Sequence, residues 1–181
     1  NPLSYTWEQF DLGPATALGE PNVTGPAFRS VMPAVSPERI FPNLPALVAG
    51  QATPAEQLPT QDRTMHFRLS VRDGEAVAWQ EVRVAVADYA GPFRVLTPDG
   101  SEHWRAGTAA EVRWDPAMTQ APPVACREVG IWLSTDGGAT FSLPLARNVP
   151  NLGLARVWVP DTLSGNQFRL MIRAEDNIFL A

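Results

Sequence analysis

Apolar and polar residues alternate with a period of two along several stretches of this chain. Between residues 67 and 71, and again between residues 82 and 86, an apolar side chain occupies every second position. This spacing puts the apolar side chains on one face of a β-strand, as in a half-buried antiparallel sheet. Asp73 and Gly74 lie between the two stretches and are typical of a tight turn. Residues 64–88 are therefore predicted to form a β-hairpin.

The composition favours short strands and excludes several functional classes. The 181 residues include 18 prolines and 13 glycines, which interrupt long helices and coiled coils. A single cysteine, Cys126, excludes an internal disulfide and any zinc site built from several cysteines. Because the net charge is −5, no broad basic surface for nucleic acid or an anionic membrane is expected. No apolar run approaches the roughly 18 residues of a membrane-spanning helix, so membrane insertion is not expected.

Strand-like stretches continue on both sides of a break at Gly91-Pro92. In the first half, residues 4–10 and 27–32 are predicted strands, and the proline-rich residues 33–59 are predicted to form an irregular crossover with one helical turn at 44–48. The second half contains six predicted strands, at residues 93–97, 108–114, 124–134, 141–146, 154–160 and 166–175. Six strands in about 90 residues is the density of an immunoglobulin-like sandwich.

We therefore predict an all-β fold with two tandem immunoglobulin-like or fibronectin-III-like β-sandwich domains. Residues 1–90 are predicted to form a cadherin-like or PKD-like domain, and residues 91–181 a second sandwich. The first half has too few strands for a closed sandwich, and residues 1–3 run directly into a predicted strand. We expect that the first domain lacks its N-terminal strand and that further sequence precedes this chain.

One local motif is sharply defined. Residues 134–141 match the Asp-box pattern S-x-D-x-G-x-T-[WF], which occurs in sialidase propellers and many extracellular β proteins. In the predicted hairpin, the Asp136 carboxylate accepts backbone N–H groups near Ser134, Gly138 takes a positive φ and Phe141 enters the core. A sialidase would need several copies on a propeller together with catalytic residues. The motif therefore predicts a structural turn and not a catalytic site.

Residues that could catalyse a reaction do not occur in a recognisable arrangement. A hydrolytic zinc site usually needs two histidines one helical turn apart beside a glutamate, whereas His66 and His103 are far apart in the sequence. Cys126 lies at the start of an apolar stretch, where a small buried side chain is a better interpretation than a nucleophile. No fingerprint of a serine hydrolase, a P-loop or a dinucleotide site is present. The sequence predicts no catalytic residue and no cofactor in this chain.

Two kinds of ligand site stay open. Glu8, Asp11 and Asp73 are acidic residues near predicted strand ends, and they are candidates for a calcium site as well as for ordinary turn carboxylates. Trp132 and Trp158 lie opposite their apolar neighbours on predicted strands, so a solvent-facing pair that stacks on sugar rings is one interpretation. Packing between sheets or domains explains both tryptophans equally well.

Several stretches resemble a known family. In the first half, NPLSYTWEQFDLGP at 1–14, FRS at 28–30 and RTMHFRLSVRD at 63–73 resemble the region that follows the catalytic domain in secreted bacterial reprolysin-like (metzincin) zinc metallopeptidases. The second half is similar to a β-sandwich module repeated in bacterial surface and secreted proteins, including peptidases, adhesins and glycan-acting proteins. The residues that carry this second resemblance are the Asp box, TPDG at 97–100, WRAG at 104–107, VRWD at 112–115 and FRLMIR at 168–173.

The resemblance implies an accessory region of a secreted or cell-surface bacterial metallopeptidase. The family's zinc-binding helix with three histidines has no counterpart here, so no catalytic residue is carried over and zinc is expected only in the separate catalytic domain. The implied role is a spacer, a substrate-docking module or a surface attachment. Its partners would be the protein's own catalytic domain and a protein or polysaccharide substrate. The alternative is an adhesion or carbohydrate-binding module of an extracellular protein.

Overall fold

A computed structural model describes residues 2–20 and 22–181. Asn1, the first residue of the stretch that resembles the metallopeptidase family, lies outside the described residues. Antiparallel strands dominate the regular structure and form three sheets of three strands each. The prediction of an all-β fold is confirmed. The chain divides into two compact units, of which the first ends at Asp88 and the second begins at Tyr89.

The first unit contains one antiparallel sheet with the strand order β1-β2-β3. Its elements are β1 (Ser4–Gln9), α1 (Leu44–Ala49), β2 (Arg63–Arg72) and β3 (Val77–Val86). The predicted hairpin is present as β2 and β3, and Asp73 closes its turn by accepting the N–H groups of Glu75 and Ala76. Gly74 has a φ of 95°, a conformation that glycine adopts without the steric penalty of a Cβ.

The predicted strand at 27–32 is wrong. In this stretch only Phe28 makes a β-bridge, to Glu56, and the rest is irregular. The side-chain oxygen of Gln9 accepts the N–H groups of Ala27 and Phe28, at 2.7 and 3.1 Å. A side chain on β1 therefore satisfies donors that a neighbouring strand would otherwise take.

The crossover after this stretch is irregular, as predicted, and contains the short helix α1. Asn43 caps the helix by accepting the Ala46 N–H, and Gly50 ends it in the left-handed conformation. Glu56 stabilises the crossover, because its carboxylate accepts hydrogen bonds from the Arg39 side chain at 2.5 Å and from the Asn43 backbone N–H at 2.9 Å. The crossover contributes Phe41 to the core of the unit, which centres on Phe28, Met65 and Phe67.

The second unit contains two antiparallel sheets with the strand orders β4-β5-β8 and β7-β6-β9. Their strands are β4 (Arg94–Thr97), β5 (Ala109–Asp115), β6 (Glu128–Ser134), β7 (Leu143–Pro150), β8 (Leu154–Trp158) and β9 (Arg169–Ala174). Both sheets contribute to one core, which includes Val112, Trp114, Val129, Ile131, Val157 and Ile172. The strands β3 and β4, which flank the division between the units, belong to different sheets.

A polar residue lies in the middle of this apolar core. Asn151 is 1% exposed, and its side-chain oxygen accepts the Trp114 indole N–H at 2.8 Å. Its side-chain nitrogen donates to Thr119 Oγ1 at 2.9 Å and to the Cys126 carbonyl at 3.2 Å. All the polar atoms of the side chain are therefore paired, as a buried amide requires. The network ties the β5–β6 connection to the turn between β7 and β8.

Candidate functional site

The Asp-box hairpin is closed by hydrogen bonds to Asp136. Ser134 Oγ donates to Asp136 Oδ1 at 2.6 Å, and Thr140 donates its backbone N–H and its hydroxyl to the carboxylate at 2.9 and 2.7 Å. These hydrogen bonds, first that from Ser134, hold the pKa of Asp136 well below its ordinary value. Gly138 has the predicted positive φ, 98°. The side chains of Ser134, Asp136 and Thr140 bond one another inside the turn, and the Gly137 N–H donates to the Gln167 carbonyl outside it. This arrangement agrees with the structural role predicted from the sequence.

Phe141 does not behave as expected. The side chain is half-buried and is not among the residues that pack on the core of the second unit. The chain between the hairpin turn and Leu143 is irregular, so the alternation that would place Phe141 on the inner face is interrupted there. The motif fixes the turn without anchoring this ring.

Replacing Asp136 with asparagine is expected to lower the melting temperature at pH 7, and this effect is expected to shrink progressively as the pH falls below about 4. A carboxyl whose pKa is depressed in the folded protein stabilises it above the unfolded pKa of about 3.9, and the stabilisation is lost as the pH falls toward the folded pKa. Thermal melts of both proteins between pH 2 and pH 7 measure the difference. The exposed Asp161→Asn is the control. If the difference in melting temperature between Asp136→Asn and the original protein did not become smaller at low pH, the result would contradict this account.

The structure does not bring the three candidate calcium ligands together. The register pairs Ser4 with Arg72 and Glu8 with Arg68, which places Asp73 beyond the start of β1, about 17 Å along the strand from Glu8. Glu8 accepts the Ser30 hydroxyl at 3.0 Å, and Asp73 is engaged in its own turn. Within residues 2–20 and 22–181, no three His, Cys, Asp or Glu side chains are grouped so that they could hold a metal ion.

Asp11 has a different set of partners. Its carboxylate contacts His66 Nδ1 at 2.8 Å and Arg63 Nη2 at 3.5 Å, and it accepts a hydrogen bond from Gln9. Burial raises the pKa of Asp11, but the hydrogen bonds from Gln9 and His66 outweigh it and the pKa is lowered. Asp11 therefore joins the end of β1 to β2. Its carboxylate oxygens contact Gln9, His66 and Arg63, and it does not share a site with Glu8 and Asp73.

The remaining reactive side chains are two histidines in different units and one buried cysteine. His66 is on β2 of the first unit, whereas His103 is exposed on the β4–β5 connection of the second. Cys126 is fully buried, and burial raises the pKa of its thiol to about 12, with a smaller contribution from Asp176. A thiol with this pKa is protonated at neutral pH and is a poor nucleophile. The interpretation of Cys126 as a small buried side chain agrees with this environment.

The two candidate ligand-binding tryptophans lie on different sheets. Trp158 is on β8 and 62% exposed, whereas Trp132 is on β6, half-buried. Both point away from core neighbours, Val157 and Ile131 respectively, but a pair is not formed. The sequence pattern identifies the face of a strand that a residue occupies, and it contains no information about which sheet that strand joins.

Trp132 belongs to a cluster that the sequence did not reveal. The guanidinium carbons of Arg173 and Arg147 lie 4.1 and 5.3 Å from the centroid of its ring. We call these three residues the arginine–tryptophan face. Arg147 lies beyond the predicted end of its strand and reaches Trp132 only because the β6–β7 register shifts near Ile131. The alternation of β9 was the one available signal, since it sets Arg173 opposite the core residue Ile172.

A glycine makes room for the edge of the indole ring. A Cβ at Gly130 would lie 2.7 Å from Trp132 Nε1 and 2.6 Å from Glu175 Oε1, both closer than real contacts allow. The indole nitrogen is buried without a hydrogen-bond partner among the described residues. The ring and the Glu175 carboxylate therefore share the space above one glycine.

We expect Gly130→Ala to destabilise the second unit by about 1–3 kcal/mol, the usual cost of forcing an extra methyl group into a packed site. Urea denaturation measures the change. Trp132→Phe removes the indole nitrogen, so in that background the cost of Gly130→Ala is expected to be smaller. An equal cost in both backgrounds would show that the indole edge is not what the methyl group meets.

A second arginine–aromatic cluster lies in the first unit. The Arg68 guanidinium carbon is 3.9 Å from the Phe10 ring centroid and 4.4 Å from the Trp79 centroid. Glu81 neutralises it with a contact of 2.6 Å to Nη2. This cation already has its counter-ion, which distinguishes it from Arg173, for which no ion pair is present among the described residues.

Comparison of the chain with protein-family models gives no match, and no curated protein or solved structure matches it. No helix within the described ranges is long and apolar enough to cross a membrane.

Proposed function

We propose that this chain is a non-catalytic accessory region of a secreted bacterial zinc metallopeptidase, where it spaces the catalytic domain or docks its substrate. The sequence resemblance carries the proposal, and the strand order of the second unit supports the fibronectin-III-like fold that it implies. In a fibronectin-III-like sandwich, strands A, B and E form one sheet and strands C′, C and F lie in the other. The orders β4-β5-β8 and β7-β6-β9 correspond to these two sets.

The edge of β9 supports the same assignment. Arg173 bridges to Leu180, and Ile172 and Ala181 exchange two backbone hydrogen bonds of 2.8 Å. Antiparallel pairing at this edge occupies the position of the last strand, G, of a fibronectin-III-like domain. For the first unit, a cadherin-like or PKD-like sandwich is proposed on the sequence resemblance, supported by its one antiparallel sheet. Extracellular location, on the cell surface or in the medium, follows from the same resemblance.

The polar residues of both units support a role without catalysis. Asp11 engages His66, Asn151 is saturated by core partners, and the Asp-box carboxylate is used within its own turn. These groups hold backbone segments in place, which is what a spacer or a docking module needs. Zinc chemistry belongs, in this proposal, to the separate catalytic domain.

A peptidase assay on this chain with added zinc tests the proposal. We expect no cleavage of protein or peptide substrates. Zinc-dependent cleavage that is lost in His66→Ala or His103→Ala would overturn the proposal. In the complete enzyme, deletion of residues 1–181 is expected to leave kcat/KM for a short peptide unchanged and to raise KM for a macromolecular substrate. An equal loss on both substrates would indicate a direct part in catalysis.

An adhesion or carbohydrate-binding module is the second candidate, and the exposure of Trp158 favours it. Its cross-strand partner is Ala109, which is too small to cover the ring. Exposed indole faces stack on sugar rings. A glycan-array screen followed by fluorescence titration tests this role, and binding that is unchanged in Trp158→Ala would argue against it.

A further inference from the structure

The outer face of the β7-β6-β9 sheet carries an excess of cations. Alternation along β9 puts Arg169 on the same side as Arg173, and Arg147 reaches this side from β7. Trp132 lies between Arg147 and Arg173 on the central strand. Two guanidinium groups, one from each outer strand, therefore lie against one indole, and Arg169 adds a third cation to the same side of β9, in a chain whose net charge is −5.

The carboxylates nearby leave most of this charge unpaired. Glu175 contacts Arg147 through two distances of 3.3 Å, and these hydrogen bonds, together with the charge of Arg173, lower the pKa of Glu175. Arg173 itself has no hydrogen-bond or ion-pair partner in the described part of the chain, and Arg169 donates only to the Phe168 carbonyl. Glu128 shares this face but lies at the end of β6, opposite Pro150. Neither Arg169 nor Arg173 forms an ion pair within the described residues, although Glu175 is close enough to Arg173 to respond to its charge.

Stacking on an indole holds a guanidinium in an orientation that favours the binding of an oxyanion. The ring restricts the arginine side chain, so less conformational entropy is lost when a ligand binds. The N–H donors lie in the plane of the guanidinium and remain free at its edge, in a geometry that matches both oxygens of a carboxylate or sulfate. The ring is held in turn by the fit of its edge above Gly130.

We propose that the arginine–tryptophan face binds an anionic polysaccharide through its carboxylate or sulfate groups. The row of cations crosses an open sheet, which suits a ligand whose charges repeat along an extended chain. An acidic peptide that added to the sheet as a strand would pair with the outer edge of β7, beside this face, and would not lie across Trp132 on the central strand β6. The inference rests on the docking role proposed above and names its partner.

Binding to defined polyanions tests the site. Dextran sulfate, polygalacturonate, neutral dextran and poly-L-glutamate are titrated against the whole chain, with tryptophan fluorescence and affinity electrophoresis as readouts, at low and physiological salt. The two anionic polysaccharides are expected to bind and neutral dextran is not. Arg147→Gln and Arg173→Gln are each expected to weaken binding about tenfold, the effect of losing roughly one charged hydrogen-bond pair. Arg156→Gln, an exposed arginine on β8, is the matched control and should bind as the original protein does.

Four results would overturn the proposal. The first two are absence of polyanion binding and unchanged binding in Arg173→Gln. The third is an equal loss of binding in Arg156→Gln, which would indicate non-specific ion exchange. The fourth is a preference for poly-L-glutamate, which would indicate an acidic protein partner. Circular dichroism of each variant verifies that it is folded. Trp132→Phe provides a second test. This variant keeps an aromatic ring beside the arginines, so its polyanion affinity is expected to fall less than that of either arginine variant. The peptidase assay does not depend on these arginines, so the two proposals can fail separately. Polysaccharide binding together with zinc-dependent cleavage would refute the accessory role but would still support the polysaccharide site.

Discussion

Replacing Asn151 with leucine is expected to lower the free energy of unfolding of the second unit by about 3–5 kcal/mol. Leucine has nearly the same size, so the main cost is the loss of three hydrogen bonds. The indole N–H of Trp114, the Thr119 hydroxyl and the Cys126 carbonyl would each lose a partner in a region that water does not reach. Such a loss is a large part of the total stability of a small domain.

Urea denaturation followed by tryptophan fluorescence measures this effect, because Trp114 reports on the same network. Asn166→Leu, at an exposed position, is the control and should change stability by less than about 0.5 kcal/mol. The double variant with Trp114→Phe removes one orphaned donor, so its cost should be less than the sum of the two single costs. A fully additive double variant would show that the indole and the amide do not stabilise each other.

Glu56→Ala is expected to destabilise the first unit by about 3–5 kcal/mol, because it leaves the Arg39 guanidinium buried without a counter-ion. Glu56 is 6% exposed and accepts hydrogen bonds from Arg39 and Asn43. Arg39 also donates to two backbone carbonyls, so it cannot move into water without breaking the crossover away from β1. The fold of the crossover depends on this one carboxylate.

Glu81→Ala provides the matched comparison. Its carboxylate pairs with Arg68 in a similar geometry but is 55% exposed, so its loss should cost no more than about 1 kcal/mol. Urea denaturation of the first unit measures both variants. Arg39→Met combined with Glu56→Ala removes the unpaired charge, and recovery of part of the stability is expected. Similar costs for Glu56→Ala and Glu81→Ala would show that burial does not set the strength of these pairs.

The sequence patterns predicted the elements that are formed by contacts between residues close together in the chain. The alternation around Asp73 and Gly74 identifies a hairpin because turn and strands are adjacent in the chain and require no distant partner. The same reason applies to the Asp-box turn, where every hydrogen bond of Asp136 is made within six residues. The helical turn predicted at 44–48 is also local, because its caps Asn43 and Gly50 directly flank it in the chain.

Features that depend on distant contacts could not be read from the sequence. Residues 27–32 are held by the side chain of Gln9, 18 residues away, and by a single β-bridge with its flanking hydrogen bonds to residues 55–57, so their apolar content was misleading. Trp132 and Trp158 have equivalent local patterns, but β6 and β8 enter different sheets. The arginine–tryptophan face required the register between three strands, including an irregularity that brings Arg147 to the indole.

The order of the first sheet has a mechanical consequence. Because β2 runs antiparallel to both neighbours, β1 begins at the Arg72 end of β2 and β3 ends at the Arg63 end. A force that pulls on the two ends of this sheet therefore acts along the strands, and the hydrogen bonds of each strand pair share the load and must break together. Loading in this direction resists extension far better than unzipping one bond at a time. We therefore expect a sheet of this order to resist extension when tension is applied at its two ends.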